Sequence, residues 1–343
     1  MKRFLSFDIR RTSLFIFLAT IFSFSTGLFL FARFLHYPNP QTTVVYFEKG
    51  SSLRKISQTL AQNKIVSSSF LFEWWARLEH KGAKLKAGEY QFDQGFTSNE
   101  VLNKMVIGLV IKYPLTIPEG YNLKNIGKLL SDKNLISFDK WMELTRDPAI
   151  LESLGITAPT LEGFLFPDTY DYEKGMTVME IVGQMVKVFH EKVTPSLIAQ
   201  AKEMGLSLDQ WVTLASIVEK ETAAPDERPL IASVFLNRLR IDMPLQTDPS
   251  VIYGINSFNG NLTHGDLLRD TPYNTYTRKG LPPGPICAPG LASLKAVLEA
   301  SQAEYLYFVS KGNGHHVFSK TLEEHNKAVT TYQLHLAAPP KEP

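Results

Sequence analysis

The stretch SLDQWVTLASIVEKET, residues 207–222, reads as a helix with a defined start and an unusual end. Ser207 followed three residues later by Gln210 is a capping-box pair, so helical phase begins at Leu208. With Trp211 as reference and about 100° per residue, Leu214, Ala215 and Val218 fall within about 60° of it, forming one apolar stripe. Asp209, Thr213, Ser216 and Lys220 form a polar arc opposite. The two glutamates at the end fall in neither group. Glu219 projects between Leu208 and Val212, and Glu221 between Leu214 and Ile217, about 200° apart. They therefore cannot act as the carboxylate pair that most glycosidases use. Each sits beside apolar neighbours, where desolvation raises a carboxyl pKa toward the range a general acid needs. Each could equally be paired with a cation, and Arg228 and Arg238 lie close in sequence. Periodicity does not choose between Glu219 and Glu221.

Downstream and upstream of this helix the chain is dense in Pro, Gly, Asn and Tyr, as in LEGFLFPDTYDY (161–172), LQTDPSVIYG (245–254) and TPYNTYTRKGLPPGPICAPG (271–290). Long polar-aromatic loops on a packed scaffold commonly carry binding sites. Tyr253, Tyr273, Asn274 and Tyr276 offer aromatic faces and amide groups that suit sugar rings and hydroxyls, although Asn and Pro also shape turns. YLYFVSKGNGHHVFS (305–319) is a strand, a Gly-Asn-Gly turn and a strand. Adjacent strand residues face opposite sides, so His315 and His316 should not bind one metal together; His316 is a candidate for lining a site.

The N-terminal half is organised differently. EKGSSLRKISQTLAQNKIVS from Glu48 and PEGYNLKNIGKLLSDKNLIS from Pro118 are copies 70 residues apart, matching at Gly50/Gly120, Leu53/Leu123, Ile56/Ile126, Leu60/Leu130 and Ser67/Ser137. Each follows a β-branched stretch, so each unit reads as strand, glycine turn, helix. Between them AGEYQFDQGFTSNEVLNKMVIG reads as strand, turn and amphipathic helix, with Ser98 as N-cap and Val101 and Met105 inward. HYPNPQ, residues 36–41, reads as a linker. Before it, Thr12 to Ala32 are 21 consecutive uncharged residues, enough for a helix of about 30 Å, the thickness of a bilayer core. Lys2, Arg3, Arg10 and Arg11 precede the run, which places the N-terminus in the cytoplasm and the rest outside. A cleaved signal peptide would have a shorter apolar run and a small-residue cleavage site.

Composition agrees with a folded protein: 44% of residues are apolar, 20% are charged and the net charge is +2, so no nucleic-acid partner is indicated. Cys287 is the single cysteine, which excludes an intrachain disulfide and any multi-cysteine metal site. No nucleotide-binding glycine pattern, zinc pattern or nucleophile elbow is present, and no cofactor or metal is expected.

Taken together, EGFLFPDTY (162–170), ASIVEKET (215–222), ASVFLNRL (232–239), LQTDPSVIYG (245–254), YNTY (273–276), GLPPGPI (280–286), LYFV (306–309) and His325-Asn326 closely resemble the endolytic murein transglycosylases, the YceG-like family. The resemblance implies an α+β chain. It divides into a cytoplasmic N-terminus (1–11), a transmembrane helix (12–34), a linker (35–43), a LysM-like α/β module (44–114), a mixed α+β catalytic domain (115–335) and a tail (336–343). Whether the LysM-like module holds glycan or serves as a spacer stays open. The implied activity is a lyase reaction in the inner membrane's outer face. Peptidoglycan glycan strands are cut at internal MurNAc-β-1,4-GlcNAc bonds to leave 1,6-anhydro ends, which would terminate strand elongation. Partners by the same resemblance would be peptidoglycan synthases and the elongation or division machinery. The family's essential residue is the second Glu of the E-K-E motif, here Glu221. Glu162, Glu219, Gln246, Thr247, Asp248, Tyr253, Asn274, Tyr276 and His316 are the expected substrate-contacting shell.

Overall fold

The structure, a computed structural model, describes residues 9–334. The expected tail lies outside the described residues, as do residues 1–8 of the expected cytoplasmic segment. The chain forms two compact units. One holds the residues up to Tyr113 together with Asp171–Met176; the other holds Pro114–Tyr170 and the chain from Thr177.

The first unit begins with α1 (Ile9–Leu35), whose apolar stretch Ser13–Leu35 has a mean hydropathy of 2.2. Those 23 residues extend roughly 34 Å, and a single helix of this length and composition fits a single-pass membrane anchor. Phe15, Phe22 and Phe24 are 74–75% exposed, which hydrocarbon tolerates and water does not. Its last turn behaves differently. Phe34 is buried, Phe31 packs edge-on against Trp74 and Trp75, and the Phe34 carbonyl accepts a 2.9 Å hydrogen bond from Ser98 Oγ.

The segment read as a linker also makes specific bonds. Asn39 is buried, donates from Nδ2 to the Phe92 carbonyl at 2.9 Å, and its backbone N–H donates to Phe96 O at 2.7 Å. Buried backbone needs partners, and these loop carbonyls supply them.

Within this unit β1 (Thr43–Phe47) is followed by α2 (Leu53–Gln62) and α3 (Ser69–Leu78). Then come β2 (Gly88–Phe92) and α4 (Ser98–Ile107). β1 and β2 pair antiparallel from Thr43↔Phe92 to Phe47↔Gly88, and the helices close over Phe47, Leu60, Phe72, Tyr90, Phe92 and Met105. The cap of α4 is Thr97, in a capping box with Glu100, and not Ser98; the Ser98 hydroxyl is spent on Phe34.

The 70-residue repeat is structural. β3 (Lys112–Thr116) leads through Gly120 to α5 (Leu123–Asp132), whose bounds are those of α2 shifted by 70. Gly50 and Gly120 both have positive φ, +81° and +75°, which explains glycine at both turns. α6 (Phe138–Leu144) and α7 (Pro148–Ser153) follow, and β4 (Thr169–Glu173) returns to pair with β3.

In the second unit, Trp141 of α6 is fully buried and donates from Nε1 to Leu123 O at 2.8 Å. It can approach because residue 127 is glycine: a Cβ there would lie 2.3 Å from Trp141 Cδ1. Glu162 is also buried here. Both its oxygens accept from the Leu123 N–H at 3.2 Å, at the first turn of α5, and Oε2 accepts from Tyr253 Oη at 2.8 Å. Glu162 and Tyr253 were expected to contact substrate. Glu162 instead satisfies a helix N-terminus inside the fold, and Tyr253, half-buried, donates to Glu162. Burial raises the Glu162 carboxyl to about 7, against the pull of Tyr253 and the Leu123 N–H.

The rest of the unit is built around one helix. α8 (Val178–Lys192) and α9 (Pro195–Glu203) precede α10 (Leu208–Glu221), and α11 (Arg228–Arg240), α12 (Asp248–Gly254), α13 (His264–Leu268) and α14 (Leu291–Leu298) follow. The Ser207–Gln210 capping box is present. α10 packs against α9, α11, α12 and α14, and Trp211 Nε1 donates to Leu294 O at 2.9 Å. Within the polar arc Thr213 and Ser216 are buried while Lys220 stays exposed. Thr213 Oγ1 donates to Asp209 O, and Ser216 Oγ donates to Thr213 O while accepting from the Ile286 N–H at 3.0 Å. The chain around Pro285–Gly290 covers that face, so a local hydroxyl bond replaces water. A hairpin of β5 (Tyr307–Ser310) and β6 (His316–Ser319), in register from Tyr307↔Ser319 to Ser310↔His316, is covered by α15 (Leu322–Val329).

Two outcomes follow for stability. Gly127→Ala should lower stability by about 1–3 kcal/mol, read as a lower Tm, because the Trp141 ring must move. The carboxyl of Glu162 keeps its proton in the folded state to about 7, while the unfolded chain loses it near the ordinary value of 4.5. The folded state then binds more protons across that window, so stability falls as pH rises from about 4.5 to about 7. Denaturant titrations of Glu162→Gln should show a shallower fall over the same window; an unchanged slope would refute the assignment.

Candidate active site

Glu221 is the last residue of α10, where the buried helix meets a cleft of about 490 Å³. The helix delivers the carboxyl; three loops decide its surroundings. In the first, Gln246 takes the left-handed conformation, φ +50°, costly for a residue with a Cβ. The second, residues 273–276, braces it: the Gln246 N–H donates to Thr275 O at 3.1 Å, the Thr247 N–H to Thr275 Oγ1 at 3.0 Å, and Ser250 Oγ meets Thr275 Oγ1 at 2.9 Å. So held, Thr247 directs its hydroxyl to Glu221 Oε1. Asp248, in the first turn of α12, does not cap that helix; it accepts from Tyr276 Oη at 2.6 Å. The third loop is the hairpin, which brings Tyr307, Phe308 and His316 to the cleft wall.

The protonation balance at Glu221 follows from these neighbours. Burial raises its carboxyl to about 7, and the negative charge of Asp248 adds to the rise; the Thr247 hydroxyl and the Arg238 guanidinium oppose it. Arg238 is itself buried, donating from Nε to Leu306 O at 2.7 Å and from Nη1 to Leu245 O at 2.6 Å, over the Tyr307 ring. It therefore ties α11 to the hairpin and to the loop before Gln246 while supplying positive charge. Tyr276 is pushed up by burial and by Asp248, so its phenol stays protonated and able to donate.

His316 is fixed by Glu227. Its ring Nδ1 lies 2.7 Å from Glu227 Oε2, and its backbone N–H donates to Oε1 at 2.8 Å. His315 Nδ1 approaches the same carboxyl at 3.3 Å, so the two imidazoles share one partner rather than diverging, because His315 stands in the turn before β6. Burial would raise Glu227, but these donors outweigh it and hold its carboxyl below the ordinary range.

Of the expected site residues, Glu221, Gln246, Asp248, Tyr276 and His316 line the cleft, and Thr247 reaches it through Glu221. Glu162 and Tyr253 lie elsewhere in the fold, as described. Asn274 is fully buried; its Nδ2 donates to Leu267 O at 2.9 Å and Arg269 O at 2.7 Å, and its Oδ1 accepts from the Tyr276 N–H. It shapes the loop that presents Tyr276 rather than contacting the cleft. Glu219 faces a separate hollow, accepting from the Gly290 N–H at 2.9 Å with Arg228 3.8 Å away.

Sequence names Arg238 only as a cation near the two glutamates, and marks neither Tyr307 and His325, which also line the cleft, nor Glu227 for the site. Arg238, Tyr307 and His325 lie in motifs that could have flagged them, ASVFLNRL, LYFV and His325-Asn326; Glu227 lies in none. Among the described residues no cluster of His, Cys, Asp and Glu could hold a metal ion. Cys287 is buried, with its thiol pushed up by burial, and is no nucleophile.

Comparison with known proteins places the chain in a family. The YceG-like family matches residues 45–331. A Bacillus subtilis (strain 168) protein named endolytic murein transglycosylase is 34% identical over 327 residues, covering 89% of this chain and 90% of that protein. One of the same name from Streptococcus pneumoniae serotype 2 (strain D39) is 29% identical over 83% of this chain, which spans 57% of the pneumococcal protein's length. The crystal structure of a yceG-like protein from Listeria monocytogenes superposes with a TM-score of 0.59 at 32% identity, over 84% of this chain and 98% of that one. With the family matched across most of the sequence, the chain belongs to the YceG-like family.

Proposed function

We propose that the chain is an endolytic lytic transglycosylase, cutting peptidoglycan glycan strands at internal MurNAc-β-1,4-GlcNAc bonds without water to leave 1,6-anhydro-MurNAc ends. The observation that carries the reading is one carboxyl, Glu221, raised to about 7 in a cleft walled by tyrosines, in a chain similar to proteins named for that activity. A single carboxyl suffices if it changes role. Protonated, Glu221 gives its proton to the departing glycosidic oxygen; ionised, it takes the proton of the muramoyl C6 hydroxyl as that oxygen closes on its own anomeric carbon. The nucleophile is already part of the substrate, so no second carboxylate is needed to activate water. Thr247 steadies the ionised form, and Arg238 limits its cost. Gln246, Asp248, Tyr276 and His316 are proposed glycan contacts, with Tyr276 donating and Asp248 accepting.

The same reading makes α1 the anchor, its basic flank in the cytoplasm and the second unit outside the membrane, near nascent strands whose growth each cut would end. Peptidoglycan synthases and the elongation or division machinery are the proposed partners. The unit following α1 is proposed to be the LysM-like module. It has a hollow beside Ser51 and His80 that could receive glycan. A membrane-tethered scaffold without catalysis is the competing reading.

Full-length chain in detergent, incubated with glycan strands, should yield anhydro-muramoyl ends by mass spectrometry. Unchanged strands would favour the scaffold, and reducing ends a water-using muramidase. Glu221→Gln should abolish cleavage with folding intact, while Glu219→Gln should retain most of it; a Glu221→Gln chain that cuts at near wild-type rate refutes the assignment. In a pH profile the first proton transfer requires the protonated carboxyl, so rate should fall as pH rises through about 7. Thr247→Val removes a donor that favours the charged form, so its alkaline limb should move to higher pH; a move to lower pH would contradict this account.

A further inference from the structure

Glu221 also borders a second hollow, of about 320 Å³. Its walls are Glu119 and Gly120 from the turn before α5, Glu219 and Lys220 from α10, and Arg228 at the start of α11. The polar groups there are under-used. Arg228 has a side chain only 12% exposed, yet its Nε is buried without an acceptor. Its nearest charged partner, Glu219, stands at 3.8 Å, beyond hydrogen-bond distance. A guanidinium so far removed from water ordinarily has its donors satisfied. Glu119 is exposed, and no described residue donates to its carboxyl. Its carboxyl packs closely on Gly290, where a Cβ would come within 1.8 Å of Oε1. Free acceptor, under-satisfied cation and exposed Lys220 thus converge on a hollow that meets the first cleft at Glu221.

We propose that this hollow binds N-acetylhexosamine units of the glycan strand on the opposite side of the scissile bond from the units held in the first cleft. The inference rests on the lyase reading and deepens it. A carboxyl that cuts inside a strand must have sugar on both sides, and Glu221 is shared by both hollows. An acetamido group presents one N–H and one C=O together. Glu119 accepts the first, and Arg228 or Lys220 donates to the second or to a ring hydroxyl.

The test uses the full-length Glu221→Gln chain in detergent and fluorescently labelled long glycan strands, with binding read by anisotropy. Adding Glu119→Ala or Lys220→Ala, both at exposed positions, should weaken binding about three- to tenfold per lost hydrogen bond without lowering Tm. Unchanged affinity in both double variants overturns the inference, as does a Glu221→Gln chain that binds no strand. A loss of affinity accompanied by an equal fall in Tm assigns these residues to folding and also overturns it. Because the readout is binding, it is separate from the anhydro-end assay on the wild-type chain, so the lyase reading can fail or stand independently.

Discussion

The second unit depends on burying α10 from every side. An amphipathic helix at a surface would leave its last residue in water, where a carboxyl titrates in its ordinary range. Here α9, α11, α12 and α14 surround the helix, and the loop around Pro285–Gly290 covers the arc that periodicity marks as polar. Glu221 is therefore delivered from inside the unit into a cleft, and its raised carboxyl follows from that delivery before any neighbouring charge is counted. Thr213 and Ser216 make this possible, since a hydroxyl that bonds to its own helix can be buried cheaply.

Everything else at the cleft adjusts that carboxyl or frames it. Asp248 and burial push its proton affinity up, and Thr247 and Arg238 pull it down. The opposing influences leave a group able both to give and to take a proton near neutrality. The framing residues are held by partners set further back: Gln246 and Thr247 by Thr275, Tyr276 by Asn274, and His316 by Glu227. A strained Gln246 persists because its neighbours over-determine it.

The first unit shows the same economy in a different role. The end of α1 is not a flexible tether; Phe31, Phe34 and Asn39 fasten it to the strand pair and to α3. The duplication of strand, glycine turn and helix gives both units a similar starting piece, and in the second unit that piece carries Glu119 and Gly120 beside α10.

Much of this was legible locally. The capping box at Ser207, the 70-residue repeat with its two left-handed glycines, the apolar N-terminal helix and the final hairpin are set by short-range rules of periodicity, caps and turns, and the structure contains each of them. The divergence of Glu219 and Glu221 was also fixed by helical geometry alone, and they do face separate partners. What periodicity could not supply was which side of α10 meets solvent, because that depends on chain arriving some 70 residues later, at Ile286 and Gly290. For the same reason Glu162 and Asn274, polar residues in loops rich in motifs, gave no sign that they would turn inward. Their partners, the N-terminus of α5 and the carbonyls of residues 267 and 269, exist only once the chain has folded. Sequence thus determined the elements and the direction of each glutamate. The tertiary structure decided which partners each glutamate would meet, Thr247 in the cleft for Glu221 and the Gly290 N–H with Arg228 for Glu219, since a carboxyl's environment is a property of what packs around it and not of the residues beside it in the chain.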